Sequence, residues 1–81
     1  MTPAQCRAAR ALLDMTQLEL AQAAQLGLST VVDFEKDRRQ VSESAIQAIR
    51  FALEGAGVEF LLENGHGEGL RLRKRRPTKR K

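Results

Sequence analysis

The chain has 81 residues, of which 42% are hydrophobic, with no Trp and no Tyr, so we expect a single domain with an aliphatic core. One cysteine and one histidine exclude an internal disulfide and argue against a metal site or a catalytic triad. We therefore expect no cofactor and no enzymatic activity. No signal-peptide pattern and no apolar run of roughly 20 residues occur, which predicts a cytoplasmic protein without a membrane partner.

The positive charge is concentrated at the C-terminal end. Eight basic residues and no acidic ones lie between Arg71 and Lys81, whereas residues 1–70 carry six basic and ten acidic residues. The net charge of +4 therefore comes from the tail and not from the body. Residues 74–81 are too polar to pack, so we expect a disordered basic tail. Such a tail is typical of an arm that binds nucleic acid, and equally of one that favours solubility.

Two capping boxes predict where the first two helices begin. In such a box a Thr at the N-cap pairs with a Gln or Glu three residues later. Thr2 and Gln5, with Pro3 at the first helical position, mark the first helix, and Thr16 and Glu19 mark the second. Apolar residues at helical spacing then predict the inner faces. These are Cys6, Ala9, Leu12 and Leu13 in the first helix, and Leu18, Ala21 and Ala24, with Leu20 alongside, in the second.

Two further helices follow a short break at Gln25 to Gly27. The third is predicted from about Leu28 to Lys36, with Val31 and Phe34 facing inward, and a polar, basic turn follows it. Ser42 caps a long fourth helix, which Gly57 ends. Its predicted inner face comprises Ile46, Ile49, Leu53 and Ala56.

An alternating pattern after Gly57 predicts a β-hairpin over residues 58–73. We expect Val58, Phe60 and Leu62 to face Leu70 and Leu72 across it. An isolated hairpin is barely stable, and its open edges can pair with a second copy. We therefore interpret it as a dimerisation element, with Phe51 or Leu61 available to the partner. The predicted division is a helical domain at 1–57, the hairpin at 58–73 and the tail at 74–81.

The stretch from Thr16 to Glu35 resembles the phage-repressor-like helix-turn-helix regulators of the xenobiotic response element type. Gln17, Ala21, Val31 and Glu35 fall at the family spacing, and the likeness covers about residues 4–56. The resemblance implies a mainly α fold: a four-helix repressor-like helix-turn-helix domain, followed here by the hairpin and the tail. It also implies a bacterial, sequence-specific transcriptional regulator. Such a protein binds double-stranded DNA as a homodimer, with a recognition helix at about 28–36 in the major groove.

The resemblance also implies a role for individual residues. Gln17 is expected to reach the phosphate backbone and an adjoining base, and Ala21 to be the small residue where the two helices cross. Arg10 is expected to pair with Glu35 in the core. The phosphate clamp would comprise Lys36, Arg38 and Arg39. The recognition surface would comprise Leu28, Ser29, Thr30, Val32 and Asp33.

Some of these positions depart from the family pattern. Gln25 stands where a turn Gly is usual, and Gly27 where a capping Ser or Thr is usual. Leu28, Val32 and Asp33 stand where Arg, Gln or Asn is common. Aliphatic side chains can contact thymine methyl groups, hydroxyls can bond to base edges, and a carboxylate can accept from cytosine N4.

One alternative stays open on the sequence alone. The helices can form a protein-interaction module that binds another regulator rather than DNA. The acidic body and the apolar recognition surface favour this interpretation, whereas Arg38, Arg39 and the basic tail oppose it.

Overall fold

A computed structural model of the chain describes residues 1–61 and 69–72. Within these residues four helices are followed by two strands, which confirms the predicted mainly α class with a C-terminal hairpin. The elements are α1 (Pro3–Leu13), α2 (Gln17–Ala24), α3 (Leu28–Glu35), α4 (Glu43–Ala56), β1 (Val58–Leu61) and β2 (Gly69–Leu72). The third helix thus ends one residue earlier than predicted.

Side-chain caps start three of the helices where the sequence predicts them. The Thr2 hydroxyl accepts from the backbone N–H of Gln5 at 3.1 Å, and the Gln5 side chain accepts from the backbone N–H of Thr2 at 2.9 Å. Thr16 and Glu19 form the same reciprocal pair at 3.0 and 2.9 Å. Ser42 caps α4 through its hydroxyl. These bonds satisfy N–H groups that a helix start leaves without partners.

A left-handed residue that is not glycine follows each of the first three helices, directly after α1 and α2 and one residue later after α3. These residues are Asp14 at φ 55°, Gln25 at φ 59° and Asp37 at φ 55°. In each case the next residue donates its backbone N–H at 2.9 Å to the carbonyl five residues earlier. This bond is the signature of a Schellman end, where glycine is the usual residue. Only α4 ends in the predicted glycine, Gly57, at φ 122°.

The core draws on all four helices and on β1. Its buried apolar residues are Cys6, Ala9, Leu20, Ala21, Val31, Phe34, Val41, Ala45, Ile49, Leu53 and Val58. Leu18, predicted to face inward, is instead 52% exposed, whereas Leu20, predicted alongside it, is buried. At about 100° per residue, Leu20, Ala21 and Ala24 share one face of α2, and Leu18 projects from the other.

Two more predicted core residues also lie at the surface. Leu12 is exposed because it stands at the edge of the inner stripe of α1 that Cys6 and Ala9 define. Ala56 is exposed because it is the last residue of α4 and extends past the core. The inner faces were therefore predicted correctly at their centres and wrongly at their borders.

The hairpin packs against the helices. β1 and β2 pair antiparallel, with Val58 opposite Leu72 and Phe60 opposite Leu70, as the alternation predicts. Val58 is part of the core. The Gln5 side chain donates to the carbonyl of Gly69 at 3.1 Å, which joins β2 to α1. The predicted contact of Leu62, the hairpin turn and the tail at 74–81 lie outside the described residues.

Candidate nucleic-acid interface

The third helix has one buried side and one accessible side. Val31, Phe34 and Glu35 are buried. The opposite side, here called the outer face, consists of Leu28, Ser29, Val32, Asp33 and Lys36, all of them exposed or half-buried. Thr30, which the resemblance places on the recognition surface, is half-buried and lies at the border between the two sides.

The N-terminus of α3 follows a tight turn. Gln25, left-handed at φ 59°, ends α2, and Gly27 is the N-cap of α3 without a side-chain hydrogen bond. A Cβ added at Gly27 would meet only the Ser29 hydroxyl, at 4.0 Å, so the usual Ser or Thr would fit there. The first N–H groups of α3 therefore have no side-chain cap, and they carry the positive end of the helix dipole.

The basic turn, defined as residues 36–39, follows α3 directly. Lys36, Arg38 and Arg39 are all exposed there. The backbone N–H of Arg38 donates to the carbonyl of Asp33 at 2.9 Å, and Arg39 Nε donates to Asp33 Oδ2 at 2.8 Å. Asp33, a predicted base reader, is thus paired with Arg39, a predicted phosphate-binding residue. Sequence reasoning missed this pair, although opposite charges on the two sides of a helix end are a signal for it.

Glu35 is the centre of a buried polar cluster. Its side chain is only 1% exposed and accepts two hydrogen bonds from Arg10, Nε to Oε2 at 2.6 Å and Nη2 to Oε1 at 2.8 Å. The Cys6 thiol donates to Oε2 at 3.0 Å, and Gln17 Nε2 donates to Oε1 at 3.0 Å. The ion pair that the resemblance implies is therefore present. Gln17, expected to reach DNA, also contacts the core.

The cluster fixes the protonation state of its members. Burial alone raises the pKa of Glu35, but hydrogen bonds from Arg10, Cys6 and Gln17 outweigh it and hold that pKa below its ordinary value. Burial, with the neighbouring Glu35 carboxylate, raises the pKa of the Cys6 thiol. The hydrogen bond to Glu35 raises the pKa of Arg10. At neutral pH Glu35 is thus ionised, and Cys6 is a neutral donor.

Two further observations concern the part of the chain that the structure describes. Its acidic, Cys and His side chains form no group of three or more that could hold a metal ion. None of its helices is both long enough and apolar enough to cross a bilayer. What the outer face and the basic turn offer chemically is hydroxyl, carboxylate and aliphatic groups beside cations.

Comparison with known proteins identifies the helical part of the chain. A family model described as helix-turn-helix matches residues 7–50, which is more than half of the 81 residues. The match includes α2, α3 and the basic turn, and the hairpin lies beyond it. No curated protein matches the chain. The chain therefore belongs to the helix-turn-helix family of the xenobiotic response element type, DNA-binding regulators of the kind found in phage repressors.

Proposed function

We propose that this protein is a sequence-specific transcriptional regulator that binds double-stranded DNA as a homodimer, with α3 in the major groove. The observation that carries the proposal is the continuity of the outer face with the basic turn. The buried side of the same helix is held by the Glu35 cluster. A major groove about 12 Å wide admits a helix presented in this way.

The outer face supplies the groups that read bases. The Ser29 hydroxyl can donate or accept at a base edge, and the Asp33 carboxylate can accept from an exocyclic amino group. Leu28 and Val32 offer methyl groups to thymine. Thr30, at the border of the face, is the weakest of the proposed readers. A face with so few long polar side chains favours sites with thymine methyls at the centre of each contact.

Phosphate contacts would position the helix without reading sequence. Lys36, Arg38 and Arg39 provide them on the C-terminal side of α3. Gln17 provides a phosphate contact from α2. Its side-chain amide nitrogen has two N–H donors, and the hydrogen bond to Glu35 uses only one of them. The cluster would then orient Gln17 as well as α3. The seven basic residues between Arg73 and Lys81 add positive charge that an approaching duplex attracts.

A second copy would complete the site. One helix-turn-helix buries too little surface to select a single site in a genome, and pairing on a palindrome is the usual solution. Two apolar side chains on α4 and β1 support an interface there. Phe51 is 79% exposed, and Leu61 is also exposed. We propose that these residues meet their equivalents in the partner.

A salt titration tests whether the protein binds DNA. Binding to random-sequence duplex, followed by fluorescence anisotropy, should weaken steeply with salt. Lys36→Gln and Arg38→Gln should each lower the slope of log affinity against log salt by about 0.9 per subunit. Arg50→Gln is the matched control because Arg50 pairs with Glu54 on α4, so the slope should not change.

The protein-interaction module remains the second candidate function. Leu18 and Leu28 favour it, since both are large apolar side chains left exposed on α2 and α3. If the full-length protein shows no salt-dependent retention on any duplex, DNA binding is rejected. The same exposed leucines would then define the surface to test against protein partners.

A further inference from the structure

We propose that Asp33 and Arg39 act as one coupled unit, in which the ion pair links recognition of a base to the grip on a neighbouring phosphate. The inference deepens the proposed DNA-binding function and rests on it. Asp33 would be both a base reader and a positioning residue for Arg39. The two contacts would therefore form together or not at all.

The pair joins the outer face to the basic turn. Arg39 Nε donates to Asp33 Oδ2 at 2.8 Å, with the Arg39 side chain 51% exposed and the Asp33 side chain 21% exposed. Asp33 also holds the turn through its backbone, since its carbonyl accepts from the N–H of Arg38 at 2.9 Å. One residue of α3 thus fixes both the backbone before Arg39 and the direction of the Arg39 side chain.

The atoms used in the pair leave the outward-facing groups for DNA. The bond employs only Nε of Arg39, so the four N–H groups on its two terminal nitrogens can serve a phosphate. The bond employs Oδ2 of Asp33, so Oδ1 can accept from the exocyclic amino group of cytosine or adenine. The pair can therefore bridge a base and a phosphate without breaking.

Electrostatics favours this coupling. An unpaired carboxylate on a recognition helix would be repelled by the phosphates on both sides of the groove. The positive charge of Arg39, paired directly with the Asp33 carboxylate, offsets this repulsion. An Arg39 without Asp33 would keep its charge but lose its fixed direction, so it would attract phosphates only diffusely, on any sequence, and would no longer hold one phosphate. Removing Asp33 is thus expected to raise non-specific affinity and lower discrimination.

A double-mutant cycle tests the coupling. The probes are a duplex that carries the site enriched by the full-length protein from random DNA, and a duplex of equal composition with that site scrambled. The proteins are the wild type, Asp33→Asn, Arg39→Gln and the double variant. Asp37→Asn and Arg38→Gln are the matched controls, since each removes a charge of the same sign from the same turn. Circular dichroism checks that every variant folds.

The proposal predicts a non-additive cycle on the enriched site. Arg39→Gln should weaken binding about tenfold in the wild type but no more than about twofold in Asp33→Asn, a coupling within the range of contacting pairs. Asp33→Asn and Asp37→Asn should both bind the scrambled duplex more tightly. Of these two variants, only Asp33→Asn should lose discrimination between the enriched and the scrambled duplex. The control cycle, which combines Asp33→Asn with Arg38→Gln, should be additive.

The failures can be told apart. If Arg39→Gln has the same effect in both backgrounds while the wild type still selects its site, the coupling is rejected and the proposed function stands. If the wild type enriches no sequence and binds neither duplex, the proposed function fails, and the coupling fails with it. If Asp33→Asn and Asp37→Asn lose discrimination equally, Asp33 acts only through its negative charge, and the coupling is also rejected.

Discussion

Glu35 holds three helices together through one carboxylate. It lies on α3, and it accepts hydrogen bonds from Cys6 and Arg10 on α1 and from Gln17 on α2. A buried charge is costly unless its oxygens are satisfied, and here they have four donors. The cluster therefore sets the angle at which α3 is presented, and its energy depends on every member being in place.

Replacing Glu35 tests this dependence. Glu35→Gln removes the charge that pairs with Arg10, so it should lower the free energy of unfolding by about 3 kcal/mol. Urea denaturation measures the change. Glu54→Gln is the matched control because Glu54 pairs with Arg50 on the surface of α4, and its loss should cost less than about 1 kcal/mol. Equal losses in the two variants would contradict a stabilising role for the cluster.

A comparison of the wild type with Glu35→Gln also shows how the stability contributed by Glu35 depends on pH. Because the pKa of Glu35 is lowered in the folded state, its stabilisation is complete above the ordinary value of 4.5 and is lost as the pH falls from there. As the pH falls, the wild type should therefore lose stability faster than Glu35→Gln. The difference between their free energies of unfolding should then narrow. A gap that stays constant from pH 7 to about pH 3 would show that ionisation of Glu35 is not the source of the stability.

At the scale of the elements, local chemistry made the helix starts predictable. The capping boxes at Thr2 and Thr16 depend on residues three positions apart, and both form as expected. Which leucines of α2 face inward depends on packing by α3 and α4, so the prediction was correct for Leu20 and wrong for Leu18. The Asp33–Arg39 pair likewise depends on how the turn after α3 folds back. The likeness to a known family predicted the Arg10–Glu35 pair, which spacing alone does not give.

The turn between α2 and α3 offers a test at this scale. Gln25 has φ 59°, where a residue with a Cβ pays about 1–2 kcal/mol and glycine does not. Gln25→Gly should raise the free energy of unfolding by about 1 kcal/mol and the melting temperature by about 4–8 °C. Gln22→Gly, inside α2, should lower stability by a similar amount. Destabilisation by both variants would contradict the left-handed end of α2.

At the scale of the whole molecule, the proposed homodimer predicts a mass. Light scattering at micromolar concentration should give about twice the 9.0 kDa of the chain. Phe51→Glu and Leu61→Glu should lower that mass, because each puts a charge into the proposed apolar interface. Leu12→Glu is the control, since Leu12 is an exposed leucine on α1 and is not one of the proposed interface residues. A wild type that stays at 9.0 kDa would contradict the dimer.

Selection of bound sequences from random duplex DNA, with the purified full-length protein, tests the central claim most directly. We predict a palindromic site with half-sites about one helical turn, or 10–10.5 base pairs, apart. Ser29→Ala should change the preference at one position in each half-site, whereas Ser44→Ala, exposed on α4, should recover the wild-type site. Recognition by α3 would be contradicted if the wild type enriched no sequence. It would also be contradicted if Ser29→Ala and Asp33→Ala, each selected separately, both enriched the wild-type site.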